Sequence, residues 1–148
     1  MKDPLALLPG YLLRRASTAV LAELNQRLAG IEINHADASL LILIGHNPGL
    51  TQSDAGRMLG IQRANMVPLI ARNEARGWLI RQQVDGRSQG LSLSPEGEAM
   101  RHSARAVIDR FEEHLIEGVP QDLRPHVVPI LGYLWGARPG QSRRRSRP

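Results

Sequence analysis

Apolar residues in this chain recur with two periods, and the switches between them mark out the elements. Leu13, Ala16, Val20, Leu24 and Leu28 are spaced by three and four. That predicts an amphipathic helix over Tyr11 to Leu28, entered at Pro9-Gly10 and ended by Gly30. A second helix is predicted from Ala36 to Gly45. Its run Leu40-Leu41-Ile42-Leu43-Ile44 is apolar all round, as suits a buried central helix. His46-Asn47-Pro48-Gly49 is a loop by composition. Thr51-Gln52-Ser53-Asp54 has the form of a capping box, with Thr51 as N-cap. The helix it opens is short, because Gly60 stops it. Another helix is predicted over Gln62 to Arg76, with Met66, Leu69 and Ile70 as its buried stripe. Asn73 takes a position where that stripe calls for an apolar residue. The tight link from Leu59 to Gln62 has the spacing of a helix-turn-helix.

Period two follows. Trp78 to Val84 is predicted as a strand with Trp78 in the core, and Gly90 to Leu93 as its partner. Asp85-Gly86 is a hairpin turn signal, followed by Arg87-Ser88-Gln89. Ser94 and Pro95 supply the N-cap and first position of a long helix. Its stripe is Met100, Ala104, Val107, Phe111 and Leu115, and it stops at Gly118. The last helical stretch, Gln121 to Trp135, carries Pro125 and Pro129. A break or kink is expected there, with Val127, Val128, Ile130, Leu131, Leu134 and Trp135 still buried. Gly136 to Pro148 is rich in arginine, serine and proline and is expected to be disordered.

Composition removes several classes of function. The 148 residues have room for one domain with a real core. Cysteine is absent, which excludes disulfides, thiolate metal sites and a cysteine nucleophile. No glycine-rich phosphate loop, paired-carboxylate site or nucleophile elbow is present, so neither an enzyme nor a cofactor is expected. Five histidines are present, but beyond the pair His35-Ala36-Asp37 no cluster completes a metal site, and none is expected. The longest apolar run is too short to cross a bilayer and no secretory signal is visible, so a cytoplasmic protein with no membrane partner is expected.

Charge adds the rest. The net charge of +5 is concentrated in two segments. Residues 57–87 hold six arginines against two acids, and the tail carries Arg143, Arg144, Arg145 and Arg147. Clustered cations are what a polyphosphate partner requires. A high-GC genome would also enrich arginine without any function behind it. A helix-turn-helix followed by a basic-tipped hairpin is a winged helix, and its use follows from groove dimensions. The second helix enters the major groove of double-stranded DNA. Its amide-rich start and the capped helix before it, with Thr51, Gln52 and Ser53, meet phosphates. Gln62, Arg63 and Asn65 lie at the exposed start of that helix. Arg63 is suited to guanine, and Asn65 or Gln62 to adenine. Ala64, Val67, Pro68, Ala71 and Ala75 point outward and permit close approach. Arg72 and Arg76 are assigned to phosphates. Arg87, with Ser88 beside it, is carried by the hairpin tip to the neighbouring backbone or minor groove. Asp85 either makes the turn alone or orients an arginine by an ion pair. The tail is either a non-specific DNA arm or a solubilising end.

Four segments together resemble the MarR family of bacterial repressors. They are Leu59 to Val67, Arg76 to Arg81, Asp85-Gly86-Arg87, and Leu91 to Gly97 with its Leu-x-x-x-Gly exit. Leu12-Leu13-Arg14-Arg15-Ala16 is similar to that family's first helix. The resemblance spans about residues 10–136. It implies a mainly α fold with a small β-hairpin wing: a winged helix-turn-helix plus a helical dimerisation region. The corresponding segments are 1–34 (dimerisation helix), 35–98 (DNA-binding region), 99–137 (dimerisation helices) and 138–148 (basic tail). It further implies a homodimer on a pseudo-palindromic operator, released by a small-molecule effector that is anionic and aromatic, a small aromatic acid or its CoA thioester. His35 and Ser39, at the start of the second helix, fall near where the family binds ligands. Arg14 and Arg15 would meet a carboxylate there, or else form a solvated face. Pro68 departs from the family pattern and is expected to loosen the recognition helix. A winged helix used only for protein contacts, with no operator, is the rival reading.

Overall fold

Pro9 in the first turn and Gly30 just beyond the last bound α1 (Pro9–Ala29), two residues longer at its start than the periodicity indicated. The computed structural model describes residues 3–85 and 88–136. Helix α2 (His35–His46) begins at an N-cap that its apolar run did not reveal. Asn34 Oδ1 accepts hydrogen bonds from the amides of Ala36 and Asp37, both at 3.0 Å. Two of the helix's orphan donors are satisfied in this way. A two-residue strand, β1 (Leu50–Thr51), follows, too short to leave a period in the sequence.

Helix α3 (Gln52–Leu59) starts as its capping motif requires. Thr51 Oγ1 accepts from the Asp54 amide at 3.2 Å. The return half of the box differs: the Asp54 carboxylate takes the Thr51 hydroxyl at 2.7 Å. Gly60 closes α3 at φ 66°, a left-handed conformation that costs glycine nothing. Helix α4 (Arg63–Ala75) then runs unbroken through Pro68, where loosening was expected. Pro68 is the sixth helical residue, so the acceptor it forgoes is the Ala64 carbonyl, in the exposed first turn. Water can satisfy that group, which makes the proline tolerable.

The wing comprises β2 (Leu79–Asp85) and β3 (Ser88–Leu93), antiparallel, with β1 on the far side of β3. Pairing continues to Asp85 opposite Ser88, so β3 begins two residues before the predicted start at Gly90. Helix α5 (Pro95–Glu117) has Ser94 as its cap, as expected. Ser94 Oγ accepts from the Gly97 amide at 2.9 Å and donates to the Gly77 carbonyl at 2.5 Å. Gly97 lies directly on the backbone of Trp78. A Cβ there would strike the Trp78 carbonyl oxygen and fall 2.8 Å from its carbonyl carbon. Glu98, one residue on, is hydrogen-bonded by the Arg101 guanidinium, which holds its carboxyl below the usual range.

The chain divides between Asp109 and Arg110 into two compact units. The core of the first gathers Leu28, Ile33, Leu40, Leu41 and Ile44 with Ala55, Met66, Leu69, Ile70, Leu79 and Leu91. Helix α2 therefore is the buried centre that its apolar run indicated. Trp78 is half-buried at the edge of this core. In the second unit, Arg124 Nε and Nη2 donate to the carbonyls of Val119 and Glu117 and fix the turn into α6 (Arg124–Leu134). Helix α6 is continuous and three residues shorter than expected at its start. Pro125 sits in its first turn, and the donor missing at Pro129 would have met the Pro125 carbonyl.

The burial expected for α6 is not found. None of its residues is buried: Val127 is half-buried, Val128, Ile130, Leu131 and Leu134 are exposed, and so is Trp135 just beyond its end. The sequence announces only that these positions are apolar, not which surface covers them. Among the described residues no helix is long and apolar enough to cross a membrane. Also among them, no group of three or more histidines and acids is placed to hold a metal ion.

Candidate nucleic-acid interface

Burial on α4 follows the angular sorting made from its stripe. Met66, Leu69, Ile70 and Asn73 face inward, whereas Ala64, Val67, Pro68, Ala71 and Ala75 are exposed. Gln62, Arg63 and Asn65 are exposed at the helix start. Gln62 caps α4 through its backbone only. Its carbonyl takes the amides of Asn65 and Met66 at 2.9 and 3.1 Å, and its side chain makes no cap hydrogen bond. Of the first turn, the amides of Arg63 and Ala64 are left without an intrahelical acceptor, at a helix end that carries partial positive charge.

Thr51 and Gln52 are half-buried and Ser53 is exposed at the start of α3. A shallow cavity of about 210 Å³ separates α3 from the start of α4 and brings Gln52, Ser53 and Arg57 beside Arg63. Arg57 is held by Asp54 at 2.5 Å, so Arg63 carries the less constrained charge on this rim. Helix α3, the Gly60 turn and the first turn of α4 consequently form one basic edge flanked by small side chains.

Two arginines assigned to phosphates have protein partners. Arg72 Nε and Nη2 donate to Asp37 Oδ1 at 3.1 and 2.6 Å. Arg76 Nη1 donates to the Glu32 carbonyl at 2.7 Å, and its guanidinium stacks 4.8 Å from the Trp78 ring centre. Both are engaged in holding α4 in place. Arg81 on β2 bonds Glu74 of α4 at 2.6 Å, tying the hairpin to that helix. That ion pair was not foreseen, because its partners are seven residues apart across a helix end. Arg87 lies outside the described residues, as do Gly86 and the tail from 137 on. The backbones of Asp85 and Ser88 are paired across the hairpin, and their side chains are not described.

Asn73 is the clearest residue that sequence reasoning misjudged. Its side chain is fully buried, and Nδ2 donates to Asp37 Oδ1 and to the Leu69 carbonyl, each at 2.8 Å. An acid buried 36 residues earlier makes a polar stripe position sensible, and no local pattern reports that.

The residues assigned to an effector fall into two groups. Arg14 and Arg15 are exposed on α1 around Tyr11, with guanidinium carbons 5.3 and 5.8 Å from its ring centre. Arg15 Nη1 also donates to Tyr11 Oη at 3.1 Å. His35 and Ser39 are half-buried on α2, and the His35 amide donates to Asn25 Oδ1 at 2.9 Å. Arg14 and Asn25 are eleven residues apart on α1, three turns along the same face, or about 16 Å.

A family model described as the MarR family matches residues 31–88. Among solved structures, the transcriptional repressor CouR is 30% identical, covers 92% of this chain and 98% of its own, and superposes with a TM-score of 0.82. CouR bound to p-coumaroyl-CoA is 29% identical over 91% of this chain and 96% of that one, with a TM-score of 0.83. CouR bound to a 23-mer DNA duplex is 29% identical over 91% and 99%, with a TM-score of 0.82. A search of curated proteins found no match.

Proposed function

The chain belongs to the MarR family, and on that premise we propose that it is a dimeric winged-helix transcriptional repressor whose hold on its operator is released by an anionic, aromatic effector. The observation that carries this reading is the exposed first turn of α4. Gln62, Arg63, Ala64 and Asn65 stand clear of the core on a rigid helix whose opposite face is buried. Arg63 and Asn65 reach base edges in the major groove, while Thr51, Gln52, Ser53 and the amides of Arg63 and Ala64 contact phosphates. The wing, with Asp85, Arg87 and Ser88, lies over the flanking backbone. A gel shift on DNA upstream of the protein's own gene tests this. A sequence-specific shift is expected, and none at low salt refutes it.

A second copy of the chain is the partner that the exposed apolar residues support. Helix α6 displays Val128, Ile130, Leu131 and Leu134, with Trp135 exposed just past its end, and α1 displays Leu12, Leu13 and Leu21. Side chains of this size seldom line the surface of a monomer. Light scattering is expected to give twice the 16.4 kDa chain mass. A single chain mass at micromolar concentration overturns the dimer.

A rise of about 16 Å along α1 from Arg14 to Asn25, the partner of His35, favours an extended effector over a compact acid. An aromatic acyl group seats beside His35 and Ser39, and a phosphorylated tail reaches Arg14 and Arg15. This agrees with the CoA thioester bound by CouR. Release from DNA then requires that the effector bind one conformer more tightly than the other. In thermal-shift assays, p-coumaroyl-CoA is expected to raise the melting temperature more than p-coumarate. The paired change Arg14→Ala/Arg15→Ala is expected to remove the difference, because only the thioester carries phosphates. Equal shifts from ester and acid contradict the extended pose.

A further inference from the structure

The junction of α2 and α4 holds an arrangement that the DNA-reading function has not used. Asp37 is 2% exposed, and a single oxygen, Oδ1, receives three donors: Arg72 Nε, Arg72 Nη2 and Asn73 Nδ2. All three come from the recognition helix. Asn73 Oδ1 is buried as well and has no partner among the described residues. For packing alone this is a poor solution. A buried polar or charged pair seldom outperforms apolar side chains of the same volume, and the stripe of α4 calls for an apolar residue at position 73. What the pair supplies is a single permitted seat. If α4 rotates or slips by one residue, a carboxylate and an amide are left buried without partners, which is costly. The same turn of α2 is held to the loop before it by the Asn34 cap and to α1 through His35 and Asn25.

We propose that Asp37 is a positioning residue for DNA selectivity: its grip on Arg72 and Asn73 fixes the rotation of α4 and withholds the Arg72 charge from the duplex. This inference rests on the DNA-reading function proposed above. Asp37 touches no DNA itself. It sets the angle at which Arg63 and Asn65 are presented, and it keeps a sequence-blind cation occupied. Non-specific affinity is carried by phosphate neutralisation, so an arginine held elsewhere favours selectivity.

The test uses the full chain and two probes: a duplex that the wild-type protein enriches from a randomised pool, and a mixed-sequence duplex of equal length. Asp37→Leu/Asn73→Leu replaces the polar pair with apolar side chains. It is expected to melt at or above the wild-type temperature, to bind the enriched duplex at least tenfold more weakly, and to bind the mixed duplex as well or better. Arg72→Ala in the wild-type background is expected to leave the salt dependence on the mixed duplex unchanged. A decrease in that slope of about 0.9 per protomer would place Arg72 on a phosphate and overturn the proposal. A double variant that melts normally and retains wild-type selectivity overturns it too. If the double variant does not fold, Asp37→Asn takes its place: it keeps the shape and an acceptor oxygen but loses the charge, with the same loss of selectivity expected. Failure of the wild-type protein to enrich any duplex defeats the DNA reading and this proposal together. Equal selectivity in wild type and variant defeats the proposal alone.

Discussion

Arg63→Ala is expected to weaken binding to the preferred duplex by roughly 30-fold to 10⁴-fold while leaving the melting temperature unchanged. A bidentate arginine–guanine pair is worth about 1–3 kcal/mol, and the proposed dimer would make it twice, giving about 2–6 kcal/mol. Each 1.4 kcal/mol or so is a factor of ten. Stability is spared because the Arg63 side chain projects from the exposed first turn of α4 and supports nothing in the core. The diagnostic measurement is anisotropy titration on the preferred and mixed-sequence duplexes at one salt concentration. Loss on the preferred duplex with little change on the other identifies a base contact. Equal loss on both reduces Arg63 to a phosphate contact and removes it from the reading role. Arg63→Lys is expected to recover the affinity for mixed sequence but not the selectivity, since an ammonium lacks the planar fork that matches guanine.

Gly97→Ala is expected to cost about 3 kcal/mol of folding stability, at the upper end of overpacking effects. The obstacle is backbone, not a movable side chain. The added methyl group would meet the Trp78 carbonyl, which already accepts the Ser94 amide at 3.1 Å. Relief requires α5 to lift from the base of the wing, which would also strain the bond from Ser94 to the Gly77 carbonyl. Denaturant unfolding gives the value directly. A loss below about 1 kcal/mol, the ordinary range for a tolerated substitution, would mean that α5 can shift freely here. Gly97→Ala is also expected to reduce DNA binding only in proportion to the unfolded fraction, which separates it from Arg63→Ala.

These two glycine and arginine positions were legible in the sequence for different reasons. Arg63 follows a capped helix and a left-handed turn, both written in local residues: Thr51 at the cap and Gly60 at the stop. Gly97 was visible as part of a Leu-x-x-x-Gly exit, but its cause, a backbone packed against Trp78, became plain only in three dimensions. Asn73 was misjudged because its partner lies 36 residues away: the stripe of α4 gives no sign of the buried Asp37 carboxylate that its amide meets. Strand β1 was missed because two residues carry no period. Pro68 and Pro129 were expected to disrupt their helices. Each is the sixth residue of its helix, so the donor it lacks faces a first-turn carbonyl instead of a mid-helix one. The candidate site was legible at the start of α4 and less so further along it, where Arg72 and Arg76 bond to protein groups that only tertiary contact supplies.

Helix α6 has an energetic consequence of its own. Eleven residues with none buried fall below the length at which a helix persists unaided in water. Its order is therefore borrowed from whatever surface covers it, and association and local folding are one thermodynamic event. If the covering surface is a second chain, the unfolding midpoint rises as the protein is concentrated, and dilution alone loosens this end of the molecule. A freshly synthesised copy at low abundance would then acquire its final shape only after meeting another.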